Sequence, residues 1–160
     1  MNTHVRQADY TDAADAAALT GLLDVYARDP MGGGKPLSAH TREHLAAELA
    51  ARPYAVSFLA FADGVPAGVL NAFEGFSTFA CKPLLNLHDI AVHPDHRGKG
   101  IGKLLLDAAE AEARRRGCCK LTLEVLSGNT RARDVYEAAG YRAYELDPDK
   151  GQALFFEKAL

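Results

Sequence analysis

The segment Arg97-Gly98-Lys99-Gly100-Ile101-Gly102 constrains this chain most, because it joins an apolar run over residues 84–92 to an amphipathic stretch from about Lys99 to Arg116. In that stretch Ile101, Leu104, Leu105, Ala108 and Ala109 recur at helical spacing, which predicts a long helix with one buried face. Gly117 ends it. A glycine-rich turn between a strand and the first turn of a helix is built to receive phosphate. Residues without a Cβ let backbone N–H groups converge on oxyanions, and the helix start adds unpaired donors and the positive end of its dipole. Arg97 and Lys99 add charge.

Spacing decides which phosphate. A Walker A loop needs a glycine five residues before its Gly-Lys pair and a Ser or Thr after the lysine. Here Gly102-Lys103 has Arg97 at the first place and Leu104 at the second. A dinucleotide fingerprint would follow Gly98 and Gly100 with a glycine at position 103, which is Lys103, and would sit in an N-terminal βαβ unit that this chain lacks.

The remaining pattern predicts an α/β protein with a mixed sheet. Residues 4–8 read as a first strand. Thr11 or Asp12 can cap an alanine-rich helix to about Arg28, with Leu19, Leu22, Leu23 and Tyr26 on its apolar face. Residues 29–37, DPMGGGKPL, must form a loop, and a second helix is predicted over 41–51. The apolar runs 54–62 and 65–73 flank Asp63-Gly64 as an antiparallel hairpin. After the glycine loop and its helix come a strand over 120–126, a helix over 130–139, and two last strands over 141–145 and 153–158. This order implies helices on both faces of the sheet and a single domain over residues 1–160.

With 48% hydrophobic and 24% charged residues, the composition is that of a soluble globular chain. A net charge of −3 gives no overall field for nucleic acid or an anionic membrane. Three cysteines, Cys81, Cys118 and Cys119, suit a reducing compartment. No signal-peptide layout or membrane-length apolar run is present, so a cytoplasmic location is expected.

The spacing Arg97-x-x-Gly100-x-Gly102, set in DIAVHPDHRGKGIGKLLLDAAEAEARRRG, resembles the loop of the GNAT superfamily of acetyl-CoA-dependent N-acetyltransferases. Asn129-x-x-Ala132-x-x-x-Tyr136-x-x-x-Gly140-Tyr141 follows at the family's distance, and the likeness covers roughly Leu84 to Tyr144. The first half of the chain matches only in element order.

The resemblance implies a GNAT-type fold whose central strands splay apart. It implies acetyl-CoA as co-substrate, no metal, and direct transfer in a ternary complex without an acyl-enzyme. It assigns the diphosphate to Arg97, Gly98, Lys99, Gly100, Ile101, Gly102 and Lys103. The pantetheine arm goes to the backbone of Ile90, Ala91 and Val92 and to Asn129, and the departing thiolate to Tyr136 as general acid. A phenol is protonated at neutral pH and can meet a thiolate of similar basicity. An alkylammonium acceptor must first lose a proton. His88 is the first candidate base, an imidazole titratable near neutrality, with Asp89 next and Glu74 behind it.

The loop Gly32-Gly33-Gly34 reads as a flap over the acceptor. The stretch GFSTFACKPLLNLHD loosely resembles diamine and polyamine acetyltransferases, except that His88 would stand in place of an acid, so the acceptor is expected to be a small amine of unspecified type. An inactive CoA-binding module, a protein or peptide acetyltransferase and a nucleotide-phosphate regulator are the alternatives. His40 and His44 read as a solvated helix face, Arg114 to Arg116 as a favourable helix end, and Cys118 and Cys119 as small apolar strand residues. The family also allows a homodimer through the last strands.

Overall fold

The computed structural model describes all 160 residues. Nine regular elements follow one another: β1 (Thr3–Gln7), α1 (Ala13–Arg28), α2 (Ala39–Ala50), β2 (Ala55–Ala62), β3 (Val65–Ser77), β4 (Lys82–Val92), α3 (Ile101–Arg115), β5 (Leu121–Leu123) and α4 (Thr130–Ala138). The sheet order is β1-β2-β3-β4-β5. The first four strands pair antiparallel in turn, and β5 joins β4 in parallel.

Strand alternation sends successive side chains to opposite faces. On one face Val56, Phe58, Leu70, Leu85 and Leu87 pack against Ile101, Leu105 and Leu106 of α3. On the other, Leu59 and Val69 pack against Leu19 and Leu22 of α1 and Leu49 of α2. Helix starts follow side-chain capping: Asp12 accepts from the Asp15 N–H at 2.9 Å and Ser38 from the Thr41 N–H at 3.0 Å. Ser38 therefore starts α2 two residues before the expected Thr41.

Two irregularities place the site. A register shift between Asn71 and Ala72, opposite Asp89 and Leu87, leaves His88 as the extra residue of a bulge in β4. Beyond it β4 keeps its β3 partner but loses β5, because the parallel ladder covers only Leu85–Leu87 against Leu121–Leu123. The sheet is splayed there, and the expected strand over 120–126 is cut to three residues.

The two expected last strands, 141–145 and 153–158, do not form. Only an isolated bridge joins Glu145 to Gln152, and Leu146, Leu154, Phe155 and Phe156 are exposed. Asp147-Pro148-Asp149-Lys150-Gly151 does turn the chain, but a lone hairpin with no third strand to pack on is marginal in water.

Candidate active site

The site is built where β4 runs past the end of β5. Gly98 and Gly100 adopt positive φ of 75° and 80°, the left-handed region that a side chain disfavours. Gly100 is also the N-terminal cap of α3 and offers no side-chain bond. In consequence the backbone N–H groups of Gly98 through Lys103 find no acceptor in the protein. All of these residues but Lys99 border a cavity of about 490 Å³ lined also by Ile90, Ala91, Val92, Asn129 and Tyr136. Thus every residue expected to hold the coenzyme lines this cleft except Lys99.

Each cationic side chain of the loop has a partner within the protein. Arg97 donates to Asp29 Oδ2 at 2.9 Å and to the Val92 carbonyl at 3.1 Å. Lys99 donates to the Asp95 carbonyl at 2.9 Å, and Lys103 pairs with Asp107 at 2.6 Å. Backbone donors, together with the α3 dipole, are what the loop presents to an anion. Asn129 caps α4 by accepting from the Ala132 N–H at 3.2 Å while also lining the cleft, so the cap does not remove it from the cavity wall.

Tyr136 stands on α4, packed against the α3-side core and open to the cleft. Burial, with the nearby Tyr26 and Tyr141 phenols, pushes its pKa up to about 12, so it stays protonated across the physiological range. Tyr26, on the last turn of α1, lines the cleft too. Its own pKa is raised by burial and then by the negative charges of Asp89 and Asp29.

The candidate bases occupy different settings. His88 is exposed on the bulge, edge-on to Phe73 with ring centroids 5.4 Å apart. Asp89 is partly buried and accepts from Asn71 Nδ2 at 3.0 Å. Behind Asn71 stand Ser57, whose hydroxyl lies 2.6 Å from Asn71 Oδ1, and Tyr10, 2.8 Å from Ser57. Glu74 points elsewhere: it pairs with Arg116 at 2.9 Å in a network with Glu112 and Arg115, so it is a structural partner of α3. His40 and His44 stack at 4.3 Å with no third metal-ligating side chain beside them.

Sequence reasoning missed Tyr26, Asp29, Ser57 and Asn71. Tyr26 shares a helical face with core leucines and was indistinguishable from them. Asp29 meets Arg97 across 68 residues of chain, which no local pattern reveals. Ser57 and Asn71 did leave a signal, as polar residues inside apolar strands.

A cleft at a sheet splay, with unpaired donors at a helix start and a protonated phenol opposite, is the architecture of a CoA-dependent acyltransferase. The sequence profile of the Acetyltransferase (GNAT) family matches residues 20–141. The chain is 32% identical over 144 residues to the uncharacterized N-acetyltransferase YhfO of Bacillus subtilis (strain 168), covering 86% of this chain and 89% of that one. It is 42% identical over 80 residues to streptothricin acetyltransferase of Streptomyces lavendulae, a match spanning 50% of this chain but only 42% of that protein. Among solved structures, AAC(6')-Iy in complex with the bisubstrate analogue CoA-S-monomethyl-acetylneamine superposes with a TM-score of 0.76 at 23% identity, each chain covered fully, at 100%. This chain belongs to the acetyltransferase (GNAT) family of acetyl-CoA-dependent N-acetyltransferases. No helix is long and apolar enough to cross a membrane.

Proposed function

We propose that the chain transfers the acetyl group of acetyl-CoA to a primary amine on a small molecule, by direct attack in a ternary complex. The observation that carries this is the run of unpaired backbone N–H groups from Gly98 to Lys103, five of whose six residues, all but Lys99, border the cleft that Tyr136 also lines. That run is suited to the coenzyme diphosphate. The β4 backbone at Ile90 to Val92, paired with β3 but without a β5 strand on its other side, is suited to the pantetheine arm, and a main-chain N–H there to the oxyanion. The likeness to streptothricin acetyltransferase, and to a structure solved with a CoA–acetylneamine bisubstrate analogue, supports a small-molecule acceptor.

In this reading an alkylammonium of pKa about 10 gives one proton to Asp89. Asp89 takes precedence over His88 because it is partly buried and held by Asn71, whereas His88 is exposed and hydrogen-bonded to nothing. The freed nitrogen lone pair attacks the thioester carbonyl carbon. As the tetrahedral intermediate collapses, the carbon–sulfur bond breaks and the sulfur takes the Tyr136 phenolic proton. The second proton of the nitrogen restores Tyr136, and Asp89 returns its proton to water. The products are the amide, free CoA thiol and one proton. The same proposal puts the enzyme in the cytoplasm, where Cys81, Cys118 and Cys119 would stay reduced.

Calorimetry with acetyl-CoA, and free-thiol release over a panel of small amines with peptides alongside, test the proposal. Saturable binding and amine-dependent release are expected. No association at millimolar acetyl-CoA, or thiol release with peptides alone, refutes it.

A further inference from the structure

Four polar side chains form one line across the α1 face of the sheet: Tyr10, Ser57 on β2, Asn71 on β3 and Asp89 on β4, with successive separations of 2.8, 2.6 and 3.0 Å. Ser57 and Asn71 are 1% and 3% exposed. Polar groups so deep among Leu59 and Val69 destabilise a core unless each is hydrogen-bonded.

Donor counting fixes the direction of every bond. Ser57 has one hydroxyl proton, and it goes to Asn71 Oδ1, so Tyr10 must donate to Ser57. The Asn71 orientation itself follows from Asp89, because a carboxylate only accepts and so the NH₂ must face its Oδ2, which turns Asn71 Oδ1 toward Ser57. Three donors pointing the same way reinforce one another and end on a carboxylate. Asp89 Oδ2 is thereby tethered, while Asp89 Oδ1 makes no hydrogen bond within the protein.

The bulge puts Asp89 within reach of this line. Leu85 and Leu87 are buried on the α3 face, and uninterrupted alternation would send residue 89 after them into that core. The extra residue His88 resets the alternation, so Asp89 joins Ser57 and Asn71 on the α1 face, beside the cleft rather than in its lining and close enough to the cleft residue Tyr26 to raise its pKa.

We propose that Asn71 is a positioning residue for Asp89, aiming its free oxygen at the ammonium of the acceptor, with Ser57 and Tyr10 holding Asn71 in turn. This rests on the acetyl-transfer reading above. It assigns amine recognition to a line of residues that crosses the sheet and never meets the coenzyme.

A double-mutant cycle between Asn71→Leu and Asp89→Asn tests it, read as kcat/KM for the amine, with acetyl-CoA affinity measured by calorimetry. Asn71→Leu is expected to lower amine kcat/KM about 10- to 100-fold, the scale of a misaimed group, while acetyl-CoA binds within about 2-fold of wild type. In the Asp89→Asn background the same change should cost nothing further. Ser57→Ala should give a smaller loss in the same parameter, and it replaces Asn71→Leu in the cycle if that variant does not fold. Losses that multiply, or that fall equally on acetyl-CoA affinity, overturn the positioning role while leaving acetyl transfer intact. A wild-type protein that binds acetyl-CoA yet acetylates no amine overturns the acetyl-transfer reading and this inference with it.

Discussion

Replacing Gly32 by alanine tests how the loop after α1 is seated. Pro30–Gly32 forms a tight turn folded back on the end of the helix, and a Cβ built on Gly32 would lie 1.9 Å from the Tyr26 carbonyl oxygen and 2.8 Å from its carbon. Non-bonded carbon and oxygen tolerate about 3.3 Å, so the turn must retreat by more than about 1 Å. That retreat strains the bonds from the Asp29 N–H to the Tyr26 carbonyl, 3.0 Å, and from the Lys35 N–H to the Ala27 carbonyl, 3.1 Å. It also pulls Asp29 from Arg97, a partly exposed pair worth about 1 kcal/mol or less. Together these set a loss of about 1–3 kcal/mol, the usual cost of forcing a group into filled space. Gly21→Ala is the matched control. It lies in the interior of α1 with nothing within 4 Å of its would-be Cβ, and should gain about 0.5–1 kcal/mol from helix propensity. Urea denaturation of both variants reads the two free energies. If Gly32→Ala lies within about 0.5 kcal/mol of wild type, or if both changes move stability in the same direction, the seating described here is wrong.

Tyr136→Phe should lower kcat about 100-fold or more, the range for a lost general acid, and leave acetyl-CoA affinity within a few-fold in a calorimetric titration. Tyr136 and Tyr141 both have folded-state pKa values pushed up to about 12, against 10 for the unperturbed phenol. Between those values the unfolded chain releases protons that the folded one retains, so stability contributed by these groups is complete below pH 10 and lost as pH rises toward 12; melting temperature should fall over that window, and less steeply in the Tyr136→Phe, Tyr141→Phe double variant. The exposed Leu154, Phe155 and Phe156 are expected to be covered in a homodimer, so light scattering after size exclusion should give twice 17.2 kDa, and Phe155→Asp with Phe156→Asp the single mass; a monomeric wild type excludes that association.

The parts of the fold that were legible in the sequence are those enforced by local backbone chemistry. Gly98 and Gly100 take conformations that few other residues accept, and α3 behind them has an apolar stripe that only a helix buries, so loop and helix could be located together. The β2–β3 hairpin announced itself through Asp63-Gly64, both with positive φ. What depended on contacts distant in sequence was not legible. The bulge at His88 exists only in the register of β4 against β3, so no local pattern distinguishes His88 from Asp89 or tells that an extra residue carries Asp89 onto the polar line. Arg97 looked free for phosphate because its partner Asp29 belongs to a loop on the far side of the sequence. The C-terminal strands were drawn from apolar runs that are real, but propensity alone does not supply the neighbour a hairpin must lie on.

The missing stretch of β5 beside β4 has a bearing on the protein's life in solution. From His88 to Val92 the molecule keeps a seam of main chain with no second neighbour, next to side chains that line an apolar cleft. An unfilled seam of this kind invites any extended peptide to add itself as a strand. If the coenzyme arm is its natural filling, then supply of acetyl-CoA governs more than turnover: purification in its absence should yield a stickier, more protease-sensitive preparation, and adding it should protect the same chain.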